Sequence, residues 1–394
     1  MKQEILEQIK PFGIEVKGEE RNERLGWTKT VPFELIEKGL QKFDELTTGA
    51  ENFVFSAMGG SINTIKALKK IYDIKNIYTI DSLDPRAMTE IEGLNNPIMI
   101  AISKSGTTLE TKTLADRWGK KVIWIKDADG DLPIQFDGER DIGGRFSAPN
   151  TIIFWAPMYL AVNKDIGKLK EIYERYESKR PEIEEKMWQK GQELAEKNVQ
   201  YFQLDCNKAL ETWSTQLFEE SLGSKIDGYN PKTVIGKEEI KGFERINFSD
   251  DVMEAMYEQQ MLVAGLAVKK RIIFVDQPGV ENYKNMMKSG IEDVELIKKE
   301  PNFNFKFVEV VNYGYMKNGE REILKKEYQD KYPDKIVLVF EGSDWNHHSY
   351  QAAYGNPETL FILIDRTTDP ILTKIARATY ETLKDRSELV FFQG

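Results

Sequence analysis

The sequence predicts an α/β protein of two doubly wound parallel-sheet domains, each an αβα sandwich, with connecting helices. Three observations carry this expectation. From residue 53 short apolar runs alternate with helical patterns, as in FVFSA, SINTIKALKKIYD, NIYTID, PIMIAIS, TLETKTLADRW and KVIWI, which is a βαβ series and implies a parallel sheet. The runs are apolar on both faces, so helices must cover both sides. A second series, KTVIG, RIIFVDQ, FKFVEVV, KIVLVFEG and TLFILID, begins near Tyr201 and reads as another α/β unit or two.

In chain order, residues 1–50 form a charged N-terminal segment of helical pattern, with GIEVK as a short strand. Residues 51–165 form the first domain, whose ligand loops belong at the carboxyl ends of its strands. Residues 166–198 are the linking helices: Leu169 to Asn198 is dense in Glu and Lys with apolar residues at helical spacing, one or two long helices with a break at Pro181. Residues 199–390 form the second domain with an atypical C-terminal extension. The tail Phe391-Phe392-Gln393-Gly394 reads either as a protease-site scar or as a native apolar terminus.

A chain of 394 residues has room for two to three domains at roughly 150 residues each. With 40% hydrophobic and 30% charged residues it is not a disordered chain. Lys and Arg number 55 against 65 Asp and Glu, a net charge of −10, so there is no broad basic surface for nucleic acid and an anionic substrate needs a locally built site. The single cysteine, Cys206, and the lack of Cys/His ligand spacing point to a reducing compartment, a cytoplasmic address and no metal or other cofactor. The first residues hold no apolar stretch, and the most apolar run, Thr151 to Val162, is shorter than the roughly 18 residues of a membrane span. Secretion and membrane insertion are therefore not expected.

The chemistry concentrates in two loops. Ile102-Ser103-Lys104-Ser105-Gly106-Thr107-Thr108 follows an apolar strand and precedes a helix with Glu110 in its first turn. Hydroxyls, backbone N–H groups and the positive end of a helix dipole converge there, which suits a phosphate; the same residues would also serve an ordinary N-capped turn. Gly59-Gly60-Ser61 occupies a second strand-to-helix junction, and two such loops can face each other across the point where strand order reverses.

Together, FSAMGGS followed by ISKSGTTLET resembles the sugar-isomerase (SIS) domain, in the SKSGTTxET form of the phosphoglucose isomerase family. Asp141 to Ser147 (DIGGRFS) resembles that family's GGR(Y/F)S segment, Trp213 to Lys225 (WSTQLFEESLGSK) its WxxQLxxESxGK helix, and Asp276 to Lys284 (DQPGVENYK) its DQxGVExxK loop. The motifs stand in family order over residues 53–288. The resemblance implies a metal-free glucose 6-phosphate/fructose 6-phosphate isomerase that works as a homodimer. It implies a substrate-binding set of Gly60, Ser61, Ser103, Lys104, Ser105, Thr107, Thr108, Gly144 and Gln216. It makes Glu220 the base that moves a proton between C2 and C1, Arg145 the cation that steadies the enediolate, and Lys284 with a histidine the ring-opening pair. Independently, aldose–ketose exchange needs one carboxylate for a carbon-bound proton and a fixed cation at the developing oxyanion. Glu220 and Arg145 are of those types, and Gln216, four positions before Glu220, shares its helix face. Taken singly, Glu220, Arg145 and Lys284 each also fit a surface or structural charge.

One feature departs from the family. Its histidine lies in a (D/G)QHxxxQ segment ahead of DQxGVExxK, where this chain has Gly236 to Gly242 (GKEEIKG). The two histidines, His347 and His348, come later, in GSDWNHHSYQ, where His347 and Gln351 repeat the four-residue spacing. Either His347 opens the ring, or Lys241 substitutes, or the group is missing. The alternatives to a glucose 6-phosphate isomerase are an isomerase of another phosphosugar and a non-catalytic sugar-phosphate sensor.

Overall fold

A computed structural model of the chain describes residues 1–17, 19–127, 129–137, 141–223, 229–289, 303–317 and 319–391. Ser224 and Lys225 of the WSTQLFEESLGSK segment and the tail residues Phe392, Gln393 and Gly394 lie outside the described residues. The N-terminal segment supplies α1 (Gln3–Ile9), an antiparallel ribbon of β1 (Ile14–Lys17) and β2 (Glu20–Glu23), and α2 (Phe33–Leu46). The next runs become β3 (Asn52–Ser56), α3 (Gly60–Ile71), β4 (Ile77–Ile80), α4 (Pro85–Thr89), β5 (Pro97–Ile102), α5 (Leu109–Trp118) and β6 (Val122–Ile125). All four strands are parallel, in the order β4-β3-β5-β6. Ile98 to Ile102 are buried without alternation, as a strand covered on both faces must be. The order reverses between β3 and β5, so the loops that follow these two strands open at one carboxyl edge.

Next come α6 (Ile152–Ala161), α7 (Ile166–Glu196), β7 (Tyr201–Asp205), α8 (Glu211–Leu222), β8 (Lys232–Ile235), β9 (Glu244–Asn247) and α9 (Val252–Lys270). The apolar run seen in the sequence is α6, a core helix buried along Ile152 to Leu160. The break expected at Pro181 is not there: α7 is one helix of 31 residues. An interior proline removes a helix hydrogen bond, a cost of about 3 kcal/mol. Here Tyr176, Ile183, Met187 and Trp188 are buried around it, and Arg180, the residue before it, is bonded to the carbonyls of Trp27 (3.4 Å) and Thr28 (3.0 Å). α7 and α9 approach backbone to backbone, since a Cβ on Gly265 would stand 2.6 Å from the Trp188 carbonyl oxygen.

β7, β8 and β9 form a small parallel sheet in the order β8-β7-β9. The strand expected at RIIFVDQ is not one. Arg271 (φ 59°) closes α9 in the left-handed conformation, and Ile272, Phe274 and Val275 are buried as a loop, so their apolar character is satisfied without strand pairing. β9, which reads ERIN, carries no apolar run and was not expected.

The remainder holds α10 (Glu281–Lys288), β10 (Phe307–Tyr313), α11 (Glu320–Lys331), β11 (Ile336–Glu341), α12 (Tyr350–Gly355), β12 (Thr359–Asp365), α13 (Pro370–Leu383) and β13 (Ser387–Phe391). Its strands are parallel in the order β11-β10-β12-β13, the winding of the first sheet repeated. The chain divides into two compact units, Met1–Ile80 with Leu94–Asp276, and Asp81–Gly93 with Gln277–Gly394. The β7–β9 sheet thus packs within the first unit, whereas the sequence placed a boundary at residue 199. Among the described residues no helix is long and apolar enough to cross a membrane.

Candidate active site

The first unit carries two loops at the carboxyl edge of its sheet. After β3 the chain turns through Gly59 (φ 57°, ψ −137°) into α3, a backbone conformation open only to glycine. Gly60 then meets the GGRFS segment directly: a Cβ there would lie 2.5 Å from the carbonyl carbon of Gly144 and 2.6 Å from the Arg145 nitrogen. Ser61 follows, half-buried, with its Oγ 4.0 Å from where a Cβ on Gly144 would stand.

After β5, Ser103 Oγ and Thr108 Oγ1 are 2.9 Å apart and Ser105 Oγ and Thr107 Oγ1 2.6 Å apart. The Thr108 N–H donates to Ser103 Oγ (3.4 Å) and the Gly106 N–H to the Ser103 carbonyl (3.0 Å). Thr108 holds the cap position of α5 without capping it by its side chain. Paired hydroxyls can rotate toward an incoming acceptor at little cost, and the positive end of the α5 dipole adds to their pull on an anion. In the second unit the helix that follows the corresponding strand, β12, is different. There Asp369 accepts from the Ile371 and Leu372 N–H groups, both at 3.0 Å, so the chain's own carboxylate holds the place an anion would take.

Lys104 fastens this loop to the DIGGRFS segment. Its Nζ donates to Asp141 and to the Ile142 carbonyl (3.1 Å), and Asp141 is also bonded by Arg24. Burial lowers the Lys104 ammonium below its ordinary value. Burial alone would raise Asp141, but the hydrogen bonds from Lys104 and Arg24 outweigh it and hold that carboxyl below the usual range.

The candidate reacting groups come from α8 and the turn at Gly144–Phe146. Every residue of α8 from Trp213 to Leu222 is buried, so Glu219 and Glu220 are not a solvated helix end. Arg145 Nη1 lies 3.1 Å from Glu220 Oε1, with the two side chains 3% and 2% exposed. Arg145 Nε donates to Ser221 Oγ (2.8 Å) and Nη2 to the Phe274 carbonyl (2.6 Å), so the loop expected as a strand is what anchors the arginine. The Gln216 amide donates to Glu220 Oε2 (2.8 Å), as their four-residue spacing predicts. Asn63 of α3 donates in turn to Gln216 Oε1 (3.1 Å). Asn63, Asp141 and Ser221 were missed as contributors, and for Asn63 the sequence carries no signal, since its partner lies 153 positions away.

Thus Gly60, Ser61, Ser103, Lys104, Ser105, Thr107, Thr108, Gly144, Arg145, Gln216 and Glu220 all lie in the first unit. Lys241 is also there, exposed on a turn after a loop that Gln203 clamps through the Gly236 and Glu238 carbonyls (2.8 and 2.7 Å). Lys284 and His347 belong to the second unit. Lys284 sits on α10, 3.4 Å from Glu281. His347 is half-buried in a one-turn helix, whereas His348 is buried, with Nδ1 2.7 Å from Ser349 Oγ. Gln351 is buried and accepts the Gly279 N–H (2.7 Å), which joins GSDWNHHSYQ to DQPGVENYK within that unit.

No family model matches the chain. The glucose-6-phosphate isomerase of Methanocaldococcus jannaschii is 28% identical over 236 residues, 51% of this chain and 58% of that protein. The chain thus spans under two thirds of the length of the curated relative it matches. A hypothetical protein of Thermus thermophilus superposes with a TM-score of 0.53 at 18% identity, covering 73% of this chain and 95% of that one. The C-terminal domain of glucosamine-fructose-6-phosphate aminotransferase from Francisella tularensis is a looser likeness, with a TM-score of 0.39 at 10% identity over 98% of this chain and 97% of that one.

Proposed function

We propose that the chain is a phosphosugar aldose–ketose isomerase of the sugar-isomerase (SIS) type, interconverting glucose 6-phosphate and fructose 6-phosphate, a reading that the likeness to the Methanocaldococcus jannaschii enzyme supports. The observation that carries this reading is the buried Glu220–Arg145 pair at 3.1 Å, on a turn whose backbone closes against Gly60 and whose preceding residues Lys104 ties to the hydroxyl loop. The hydroxyls of Ser61, Ser103, Ser105, Thr107 and Thr108 and the start of α5 hold the phosphate, with Lys104 bracing the loop. Glu220 takes the proton from C2 of the open-chain aldose. The released electron pair forms the C1=C2 bond as the C1 carbonyl oxygen gains negative charge. A proton passes from O2 to O1, and Glu220 returns its own proton to C1, leaving the ketose. A guanidinium has five N–H donors, so Arg145 can hold Glu220, Ser221 and Phe274 and still turn an N–H to the enediolate oxygen.

We assign ring opening to His347 with Lys284, and Lys241 is the rival. Support for His347 is the Gln351–Gly279 bond, which ties the histidine segment to the loop preceding Lys284. We further propose a cytoplasmic homodimer that needs no metal, on the strength of the ligand-poor sequence and the resemblance.

The test is a coupled assay that starts from fructose 6-phosphate, with EDTA present, and reads glucose 6-phosphate through its dehydrogenase. Turnover is the expected result. Binding without turnover would replace this reading with a sugar-phosphate sensor, and turnover of a different phosphosugar alone would change the substrate.

A further inference from the structure

Resting on the isomerase reading of this site, we propose that Asn63 is a positioning residue: through Gln216 it sets which end of an amide faces the Glu220 carboxylate. Asn63 lies on α3 shortly after Ser61 and is 2% exposed. Its Nδ2 donates to Gln216 Oε1 at 3.1 Å, Gln216 Nε2 donates to Glu220 Oε2 at 2.8 Å, and Glu220 Oε1 faces Arg145. An amide has one donor end and one acceptor end. A donor at Asn63 therefore commits Gln216 to presenting a donor to Glu220. Reversing both amides would set Gln216 Oε1 against the carboxylate, two acceptors in contact, which is tolerable only when Glu220 carries a proton. The relay thus favours the ionised carboxylate, the form a base needs before it meets the substrate.

A second observation separates this role from packing. Asn63 Oδ1 is buried with no hydrogen-bond partner among the described residues. Unsatisfied buried acceptors are rare because they cost stability, and an apolar side chain of similar size would fill the place without that cost. What Asn63 supplies that such a side chain cannot is the donor. It also links the two halves of the site, since α3 begins in the GGS loop and α8 carries the base.

A double-mutant cycle with Asn63→Met and Gln216→Met tests the relay. Asn63→Met should lower kcat about fivefold to tenfold, the effect of losing one neutral hydrogen bond, and Gln216→Met by more, because its bond to the Glu220 carboxylate is charge-assisted. KM should stay within about twofold, and the acid limb of the kcat profile should move to higher pH. The double variant should be no worse than the poorer single one, because the two residues act in series. Losses that multiply, or an Asn63→Met effect confined to thermal stability with the acid limb unmoved, would overturn the proposal. Asn63→Asp keeps the shape and can only accept, so it should move the acid limb up further than Asn63→Met does. That excess should vanish in the Gln216→Met background. An equal shift with and without Gln216 would show a charge acting through space and would also overturn it. If the wild-type protein isomerises no phosphosugar, the isomerase reading fails, and the relay is judged separately by carboxyl carbon-13 NMR of Glu220, assigned with Glu220→Gln. An upward shift of its titration in Asn63→Met supports the relay, and an unchanged titration overturns it.

Discussion

Glu219 and Glu220 are neighbours on α8 yet serve different partners: Lys232 Nζ lies 3.2 Å from Glu219 Oε2, and Arg145 Nη1 lies 3.1 Å from Glu220 Oε1. Successive residues of a helix point about 100° apart, so one carboxylate reaches β8, where Thr233 N–H and Oγ1 also bond it at 3.1 Å, and the other reaches the Arg145 turn. Glu219→Gln should remove one charged partner from the buried Lys232 ammonium and cost about 1–3 kcal/mol, read as a lower urea midpoint. Glu220→Gln should instead lower kcat about 10²-fold or more with little change in KM. Near-normal turnover in Glu220→Gln would mean that another group is the base.

Thr108→Val removes the hydroxyl that meets Ser103 at the start of α5. A phosphate oxygen then lacks one charge-assisted hydrogen bond, worth roughly 1.5–3 kcal/mol. Calorimetric titration with 6-phosphogluconate should show affinity falling by that amount while the fold persists. Unchanged affinity would remove this loop from the site.

At Gly60 a methyl group has nowhere to go, since its nearest neighbours are the backbone atoms of Gly144 and Arg145. Gly60→Ala should cost about 1–3 kcal/mol as overpacking, seen in the melting temperature. It should also reduce turnover, because the atoms pushed aside are those that carry Arg145. Normal stability with normal turnover would show that the two loops do not touch.

Asp141 gives a pH signature. Lys104 and Arg24 hold its folded-state pKa below the ordinary value against the opposing effect of burial. A carboxyl lowered on folding adds stability above its unfolded pKa, about 3.9 for aspartate, and loses it as pH falls toward the folded value. Asp141→Asn should therefore be less stable than the wild type at pH 7 and lose less on acidification below about pH 4. Urea titrations at several pH values check this; parallel slopes for the two proteins would mean that Asp141 is not held as a carboxylate.

The strands with long apolar runs were legible because the middle of a covered parallel strand is apolar on both faces: Ile98 to Ile102 and Leu360 to Ile364 are buried throughout. The same criterion misread RIIFVDQ, whose apolar residues are buried by a loop that ends α9, and it passed over β9, whose ERIN sequence is held by pairing with β7. Pro181 misled for a related reason, since tertiary burial outweighs one lost hydrogen bond. Of the candidate site, the loop hydroxyls, Arg145, Gln216 and Glu220 could be proposed from sequence because each stands inside a local motif. The partners that hold them, Asp141 for Lys104, Phe274 for Arg145 and Asn63 for Gln216, meet only after folding and leave no local pattern.

The central claim is that Glu220 carries a proton between carbons of a phosphosugar, and the most direct measurement is deuterium exchange in D2O. Fructose 6-phosphate incubated with the wild-type protein should acquire deuterium at C1 by NMR, and Glu220→Gln should slow the exchange about 10²-fold while still binding the ligand. Wild-type protein that binds fructose 6-phosphate and leaves its C1 protons unexchanged, or a Glu220→Gln variant that exchanges them at the wild-type rate, would contradict the account.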